Sequence, residues 1–382
     1  MSTSISSRSR SRRRVVLSGF VACATLAGAC TSAAGSSSGS PRRRHETVTW
    51  TRTVPGWPSS VVSTARGDGV VVVSGDSTVT AIDAHGTRRW STRVDGASLV
   101  DPAVNDALVA VPAGDRLVAL DASDGSLRFR ADVPAEVGAV AVARDGRDEI
   151  VVDATFDGTI ETRAATDGDV LWSARHEGEV RARPVVDERT RTVVAVWFTH
   201  EGSSVRAFDT RTGALRWERA VAPYASAPVV AGGRVIVGAG DDEYASAAHA
   251  FELVDGADAW TATLPASFEP GLEPVVAGAD VVLVDHFGTV TALASRDGTR
   301  HWQTGTGAAI LDARPVAGPD IVAVTTGARE VVWLDRATGA TRARWAAPGV
   351  PEAIARAGSN VVVGLRRTDP GRVEAHPLSV SS

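Results

Sequence analysis

Short Val- and Ile-rich runs, such as Val70-Val71-Val72-Val73, recur along most of the chain, and the positions around them alternate between apolar and polar. Alternation with a period of two places successive side chains on opposite faces of an extended strand. Clusters of Gly, Asp, Thr and Ser break the runs at regular intervals, as hairpin turns require. The pattern predicts an all-β protein.

The runs belong to a repeated unit. Ala119-Leu120-Asp121-Ala122-Ser123-Asp124-Gly125-Ser126-Leu127-Arg128-Phe129 returns as Ala207-Phe208-Asp209-Thr210-Arg211-Thr212-Gly213-Ala214-Leu215-Arg216-Trp217. The turn glycines fall at Gly86, Gly125, Gly168, Gly213, Gly256, Gly298 and Gly339, spaced by 39, 43, 45, 43, 42 and 41 residues. Periods near forty residues mark propellers or helical arrays, and the strand-like alternation excludes the second. In the fourth unit the pattern predicts strands at Arg183–Val186, Thr192–Phe198 and Val205–Asp209, then a glycine turn, then an outer strand opening at Leu215–Trp217. A Pro-Val or Pro-Ala step recurs at Pro102, Pro184, Pro228, Pro274 and Pro315, where proline is tolerated at a strand start.

Seven units are complete. An eighth begins near Val350 and stops without its outer strand, and Thr47-Val48-Thr49-Trp50-Thr51-Arg52-Thr53 at the other end resembles that missing piece. The expected architecture is an eight-bladed β-propeller of four-stranded blades, closed by the N-terminal strand. Closure of that kind removes the open edge of the sheet.

The motif Ala-x-Asp-x-x-(Thr/Asp)-Gly, followed four residues later by Trp, resembles the pyrroloquinoline-quinone (PQQ)-like repeat family over roughly residues 46–378. The resemblance implies that Trp50, Trp90, Phe129, Trp172, Trp217, Trp260 and Trp302 pack between blades, against the turn of the next. It weakens at Phe129, where tryptophan is replaced, and after Gly339, where position 343 is Ala343 and Trp345 follows late.

Charge and the N-terminus add an address. Every basic residue is arginine, so chemistries needing a P-loop, Schiff-base or kinase lysine are ruled out. Of the 40 basic residues, five precede Cys30 with no acid among them, leaving 35 against 45 acidic residues in the remainder. An acidic body repels phosphate backbones, so nucleic acid is not an expected partner. The apolar stretch Val15–Ala29 behind those arginines fits a signal peptide over 1–29. Leu26-Ala27-Gly28-Ala29-Cys30 resembles the lipobox of bacterial lipoproteins, which implies acylation at Cys30, a lipid-anchored tether over 30–45 and a place on the outer face of the cell membrane. Arg12 and Arg13 in Ser11-Arg12-Arg13-Arg14-Val15-Val16-Leu17 resemble a twin-arginine export motif; an ordinary secretory n-region is the alternative.

Catalytic chemistry finds little footing. The sequence lacks a nucleophile elbow and a His-Glu-x-x-His motif. Quinoprotein dehydrogenases with this repeat carry a vicinal cysteine pair over the quinone, whereas the two cysteines here are Cys23 and Cys30. The reading is therefore no cofactor, with bound PQQ as the alternative, and no metal site. Turns between second and third strands gather His200, then Asp241, Asp242, Glu243 and Tyr244, then Asp285, His286 and Phe287, in units four to six. These residues form the candidate partner face. The leading expectation is a non-catalytic, monomeric scaffold that binds an envelope protein or peptide, similar in plan to the propeller lipoproteins of outer-membrane protein assembly. A quinone- or metal-dependent oxidoreductase and a sensor of a small extracellular ligand are the alternatives.

Overall fold

The computed structural model describes residues 48–199, 201–241, 246–265, 273–310, 314–366, 368 and 370–378. Every regular element among them is a strand. The strands pair into eight antiparallel sheets, each holding four strands in series apart from the fifth. Blades 1 to 7 occupy residues 58–93, 103–132, 137–175, 185–221, 224–263, 275–305 and 316–346. Blade 8 takes Val350–Ala357, Asn360–Arg366 and Gly371–Pro377 from one end of the chain and Trp50–Val54 from the other. The closing register runs from Trp50 opposite Ala375 to Val54 opposite Gly371. In blade 5 the first-strand position is divided between Tyr224–Ala225 and Val229–Ala231, both paired with Arg234–Gly240.

First strands of neighbouring blades touch in one continuous ring, from Pro58–Ser63 in blade 1 to Val350–Ala357 in blade 8 and back. They therefore surround the axis. Second strands such as Thr192–Phe198 are buried on both faces, which is why they read as unbroken apolar runs. The core lies between blades: Val194, Val196 and Trp217 of blade 4 meet Val235, Val237 and Phe251 of blade 5.

The glycine turns join blade to blade. Trp172 of blade 3 donates its indole N–H to the Thr210 carbonyl of blade 4 at 2.7 Å, and Trp50, Trp90, Trp217, Trp260 and Trp302 donate equivalently at 2.7–3.1 Å. Each ring lies where a side chain on the next turn would be: a Cβ placed on Gly213 would stand 2.7 Å from the Trp172 ring, and φ at Gly213 is +68°. Space and backbone both demand glycine. Gly213→Ala is expected to destabilise the protein by about 2–4 kcal/mol, measured by chemical unfolding, because strain and overpacking act at one site.

A bulge follows the turn in seven blades. In blade 4, Ala207 pairs with Trp217 and Phe208 with Leu215, so Arg216 is the extra residue. The bulge swings Arg216 back to Asp209 at 2.7 Å, while the other Asp209 oxygen accepts the amides of Arg211 and Thr212. Asp121 with Arg128 and Asp335 with Arg342 repeat the arrangement. The repeated aspartates thus cap turns.

Both departures from the motif have structural reasons. Phe129 packs on Gly168 but has no N–H to donate, and Arg163 supplies a bond to the Gly168 carbonyl at 3.1 Å. Ala343 lies where an aromatic would reach the turn between the third and outer strands of blade 8. Those two strands come from opposite ends of the chain, so that turn does not exist. Trp345 packs instead against buried His376, with ring centroids 3.9 Å apart and planes tilted by 45°.

Candidate functional site

Antiparallel order fixes which connections share a face. Turns between second and third strands, and links from an outer strand to the next blade, open on one side of the ring; the glycine turns open on the other. The two kinds of connection on the first side interlock: the His176 amide donates to the Gly158 carbonyl at 3.1 Å, and Thr306 Oγ1 to the Gly288 carbonyl at 3.0 Å. Leu99, Phe156, Tyr224 and Phe287 are exposed on this loop face, at 68%, 37%, 41% and 57%. Among the described residues, all three exposed aromatic side chains lie there.

The candidate partner face is retained only in part. Phe287 is exposed, Asp241 is half-buried, and half-buried His286 approaches the Ile310 carbonyl at 3.3 Å. Asp285 corrects the sequence reading: its side chain is fully buried and one oxygen accepts the Thr289 amide, so it shapes the turn rather than meeting a partner. Burial also raises its carboxyl pKa above the ordinary value. The turn after Phe198 is tighter than its composition suggests, since Thr199 N bonds the Gly202 carbonyl at 2.9 Å. His200, Asp242, Glu243 and Tyr244 lie outside the described residues, as do Arg12, Arg13 and Cys30.

At the centre of the loop face stands an arrangement the sequence reading missed. Asp101, Arg183, Glu273 and Arg314 come from the entrances to blades 2, 4, 6 and 7 and meet across the axis. Arg183 reaches Asp101 at 3.5 Å and Glu273 at 3.7 Å; Arg314 reaches the same carboxylates at 3.5 and 3.3 Å. Ser60 Oγ donates to Asp101. The square separates an outer cavity of about 350 Å³, walled by Trp57, Val61, Leu99 and Ile354, from an inner one of about 320 Å³ walled by Val62, Val104, Val275 and Val316. Burial is the largest influence on both guanidinium groups. Together with repulsion from Arg314 it draws the Arg183 pKa down, whereas attraction to Glu273 and Asp101 holds Arg314 up. A signal was present: each of the four immediately precedes a recurrent proline, and each is charged.

A second buried cluster lies between blades 2 and 3. Arg163 bonds Asp153 at 2.8 Å, pairs with Glu161 and donates to the Asp132 carbonyl at 3.2 Å, with all three charged side chains nearly inaccessible. In the sequence, Asp153 and Arg163 interrupt strands at positions that are apolar in the other blades, whereas Glu161 stands where Thr80, Arg206, His249 and Thr291 are also polar.

The axial residues do not fit the quinone of related propellers. A tricarboxylate would meet Asp101, Glu273 and Glu352 beside the two arginines, leaving no net positive field, and neither cysteine belongs to the propeller. Among the described residues, no three His, Cys, Asp or Glu side chains converge as metal ligands do.

A family model described as outer membrane protein assembly factor BamB matches residues 42–194, 75–225 and 201–363. Among solved structures, BamB from Moraxella catarrhalis superposes with a TM-score of 0.68 at 18% identity, covering 88% of this chain and 98% of that one. Quinohemoprotein alcohol dehydrogenase from Comamonas testosteroni superposes with a TM-score of 0.63 at 13% identity, covering 88% and 77%. These two likenesses establish the fold. A serine/threonine-protein kinase, AfsK of Streptomyces griseus, is 32% identical over 189 residues, 46% of this chain. The match spans about a fifth of the kinase, 21% of its length.

Proposed function

We propose, from the premise that this chain belongs to the BamB family of PQQ-like repeat propellers, that it is a protein-binding scaffold of the cell envelope and not an enzyme. The observation that carries this reading is the loop face. A closed ring presents Leu99, Phe156, Tyr224 and Phe287 together on one rigid side, with apolar and aromatic surface of the kind that anchors protein interfaces. The acidity of the body favours a partner segment with basic flanks, recruited in a salt-dependent way.

In this reading residues 1–29 direct export, Cys30 is acylated, and residues 30–45 tether the propeller to the outer face of the cell membrane. The support is the apolar run with its leading arginines and the small residues before Cys30.

The test compares envelope partners captured by the wild type and by Leu99→Ser/Phe156→Ser/Phe287→Ser. All three side chains are exposed, so melting should be unchanged to within about 1 kcal/mol. The reading expects the variant to lose specific partners. Full retention of them at both low and high salt would defeat it, and dye-linked dehydrogenase turnover with added quinone and calcium would favour the oxidoreductase alternative.

A further inference from the structure

In each bulged blade the outer strand carries one extra residue just before the place of the packing aromatic. In five of these seven blades it is a basic residue bonded within its own blade. Arg89 reaches Asp68 at 2.9 Å, Arg128 reaches Asp121 at 2.8 Å, Arg216 reaches Asp209 at 2.7 Å, His301 reaches Asp280 at 3.0 Å, and Arg342 pairs with Asp335. In blade 5 the extra residue is Ala259, and Glu252 at the end of the third strand pairs with Arg234 at 3.0 Å. Among the seven, blade 3 alone is apolar at both places: Ala164 ends its third strand and Leu171 is its extra residue.

Where that pair is missing, the structure holds a cavity of about 720 Å³, roughly twice the size of either axial cavity. It is lined by Ile150, Ala164, Ala165 and Leu171, the last 51% exposed, and it lies on the glycine-turn side of the ring, away from the loop face. Its rim is charged. Arg128 of blade 2 is held by Asp121 and approaches Glu149 at 3.9 Å, and Arg144 meets the same Glu149 at 3.5 Å. Those four charges cancel. Asp148 also lines the cavity, but it stands opposite Asp145 in the hairpin register, and residues directly opposite share a face of the sheet. Asp145 faces Arg191 and Arg211 at the blade 4 side, so the Asp148 carboxylate belongs to that side. The charge left over at the cavity is Arg147, at the tip of the hairpin, which meets no carboxylate among the described residues. The acidic remainder of the body is screened beyond about 10 Å in salt, so the nearby guanidinium decides the sign that the cavity favours.

We infer that this cavity binds a fatty carboxylate, with an unbranched apolar chain laid over Leu171 and the two alanines and its carboxylate at Arg147 and Arg144. A mostly apolar lining with a few placed polar groups is the usual make-up of a small-ligand site. The chain gains by burial and the guanidinium groups fix its direction, whereas a cationic amphiphile would meet Arg147 with like charge. The inference does not depend on the loop face docking a protein.

The experiment is calorimetric titration of the full-length protein with octanoate and decanoate below their micelle concentrations, with acetate and octylammonium as controls. Saturable binding of decanoate at submillimolar concentration is expected, about tenfold tighter than octanoate because two more CH₂ groups are buried, with neither control binding. Arg147→Gln should weaken both fatty carboxylates about threefold and leave the ratio between them unchanged. Ala164→Asp/Leu171→Arg copies the Asp209–Arg216 pair of blade 4 into blade 3, fills the cavity, and should keep the wild-type melting temperature while weakening decanoate at least about tenfold. Leu171→Ser, at an exposed position, should weaken decanoate about fivefold and keeps the test open if the double variant fails to fold. Absence of saturable decanoate binding, equal binding of octylammonium, or wild-type affinity in a folded double variant or in Leu171→Ser would each overturn the inference.

Discussion

Deleting residues 45–54 is expected to open the ring and to lower the melting temperature more than any single surface change. The deletion removes the whole outer strand of blade 8, from Trp50 opposite Ala375 to Val54 opposite Gly371. It also removes the Trp50 indole bond to the Ala84 carbonyl and the Arg52 bond to the Gly86 carbonyl, which fasten blade 8 to blade 1. Trp50→Ala alone should cost about 3–5 kcal/mol, the usual loss for a buried tryptophan. The full deletion should cost more, because Gly371–Pro377 becomes an unpaired edge. Hydrogen exchange should rise first in 360–377 and in the facing strands of blade 1. Wild-type melting of the deletion would show that the ring does not depend on its N-terminal strand.

Arg163→Met carries the second large effect. The substitution leaves Asp153 and Glu161 buried without their cation and removes the bonds to the carbonyls of Asp132 and Gly168. Breaking such a cluster from one side costs about 3–5 kcal/mol, whereas replacing all three members by apolar residues should recover most of the loss. The deficit has a pH signature. Burial pushes the Asp153 carboxyl up to about 7, against the pull of Arg163 and with a further push from Glu161. A folded-state value above the ordinary 3.8 means that the stability tied to Asp153 is fully present below 3.8 and is lost as the pH climbs toward about 7. Without Arg163 that value rises further. The deficit should therefore be smaller near about pH 5 than near about pH 8, measured by urea unfolding at both. A pH-independent deficit would place the effect in packing instead of charge.

Blade number, strand order and closure were legible because they follow from a repeat. Gly, turn Asp and the packing aromatic recur at fixed offsets, and each has one structural task. The position of Ala343 shows the limit of that reading: it looks like a weakened copy until closure reveals that the turn it would serve is absent. Phe129 looks like a conservative exchange, yet the carbonyl of the Gly168 it packs on is taken by Arg163, which lies 34 residues from Phe129 in the sequence, a contact no local motif announces. The axial square was hidden for a related reason. Its members lie between 41 and 213 residues apart, and a charged residue before proline reads as a solvated loop until four such entrances converge on one axis. Asp285 was misplaced because a turn residue next to the exposed Phe287 gives no sign in sequence that its carboxylate faces inward.

The central claim is that this ring works through its loop face, and site-specific photo-crosslinking in intact cells tests it most directly. A photoreactive residue is placed at Phe156 or Phe287 on the loop face, and at Asp124 or Thr212 on the glycine-turn face, all four being exposed. The account predicts discrete crosslinked partners from positions 156 and 287 and none from 124 and 212. Partners captured equally from both faces, or only from the glycine turns, would contradict it.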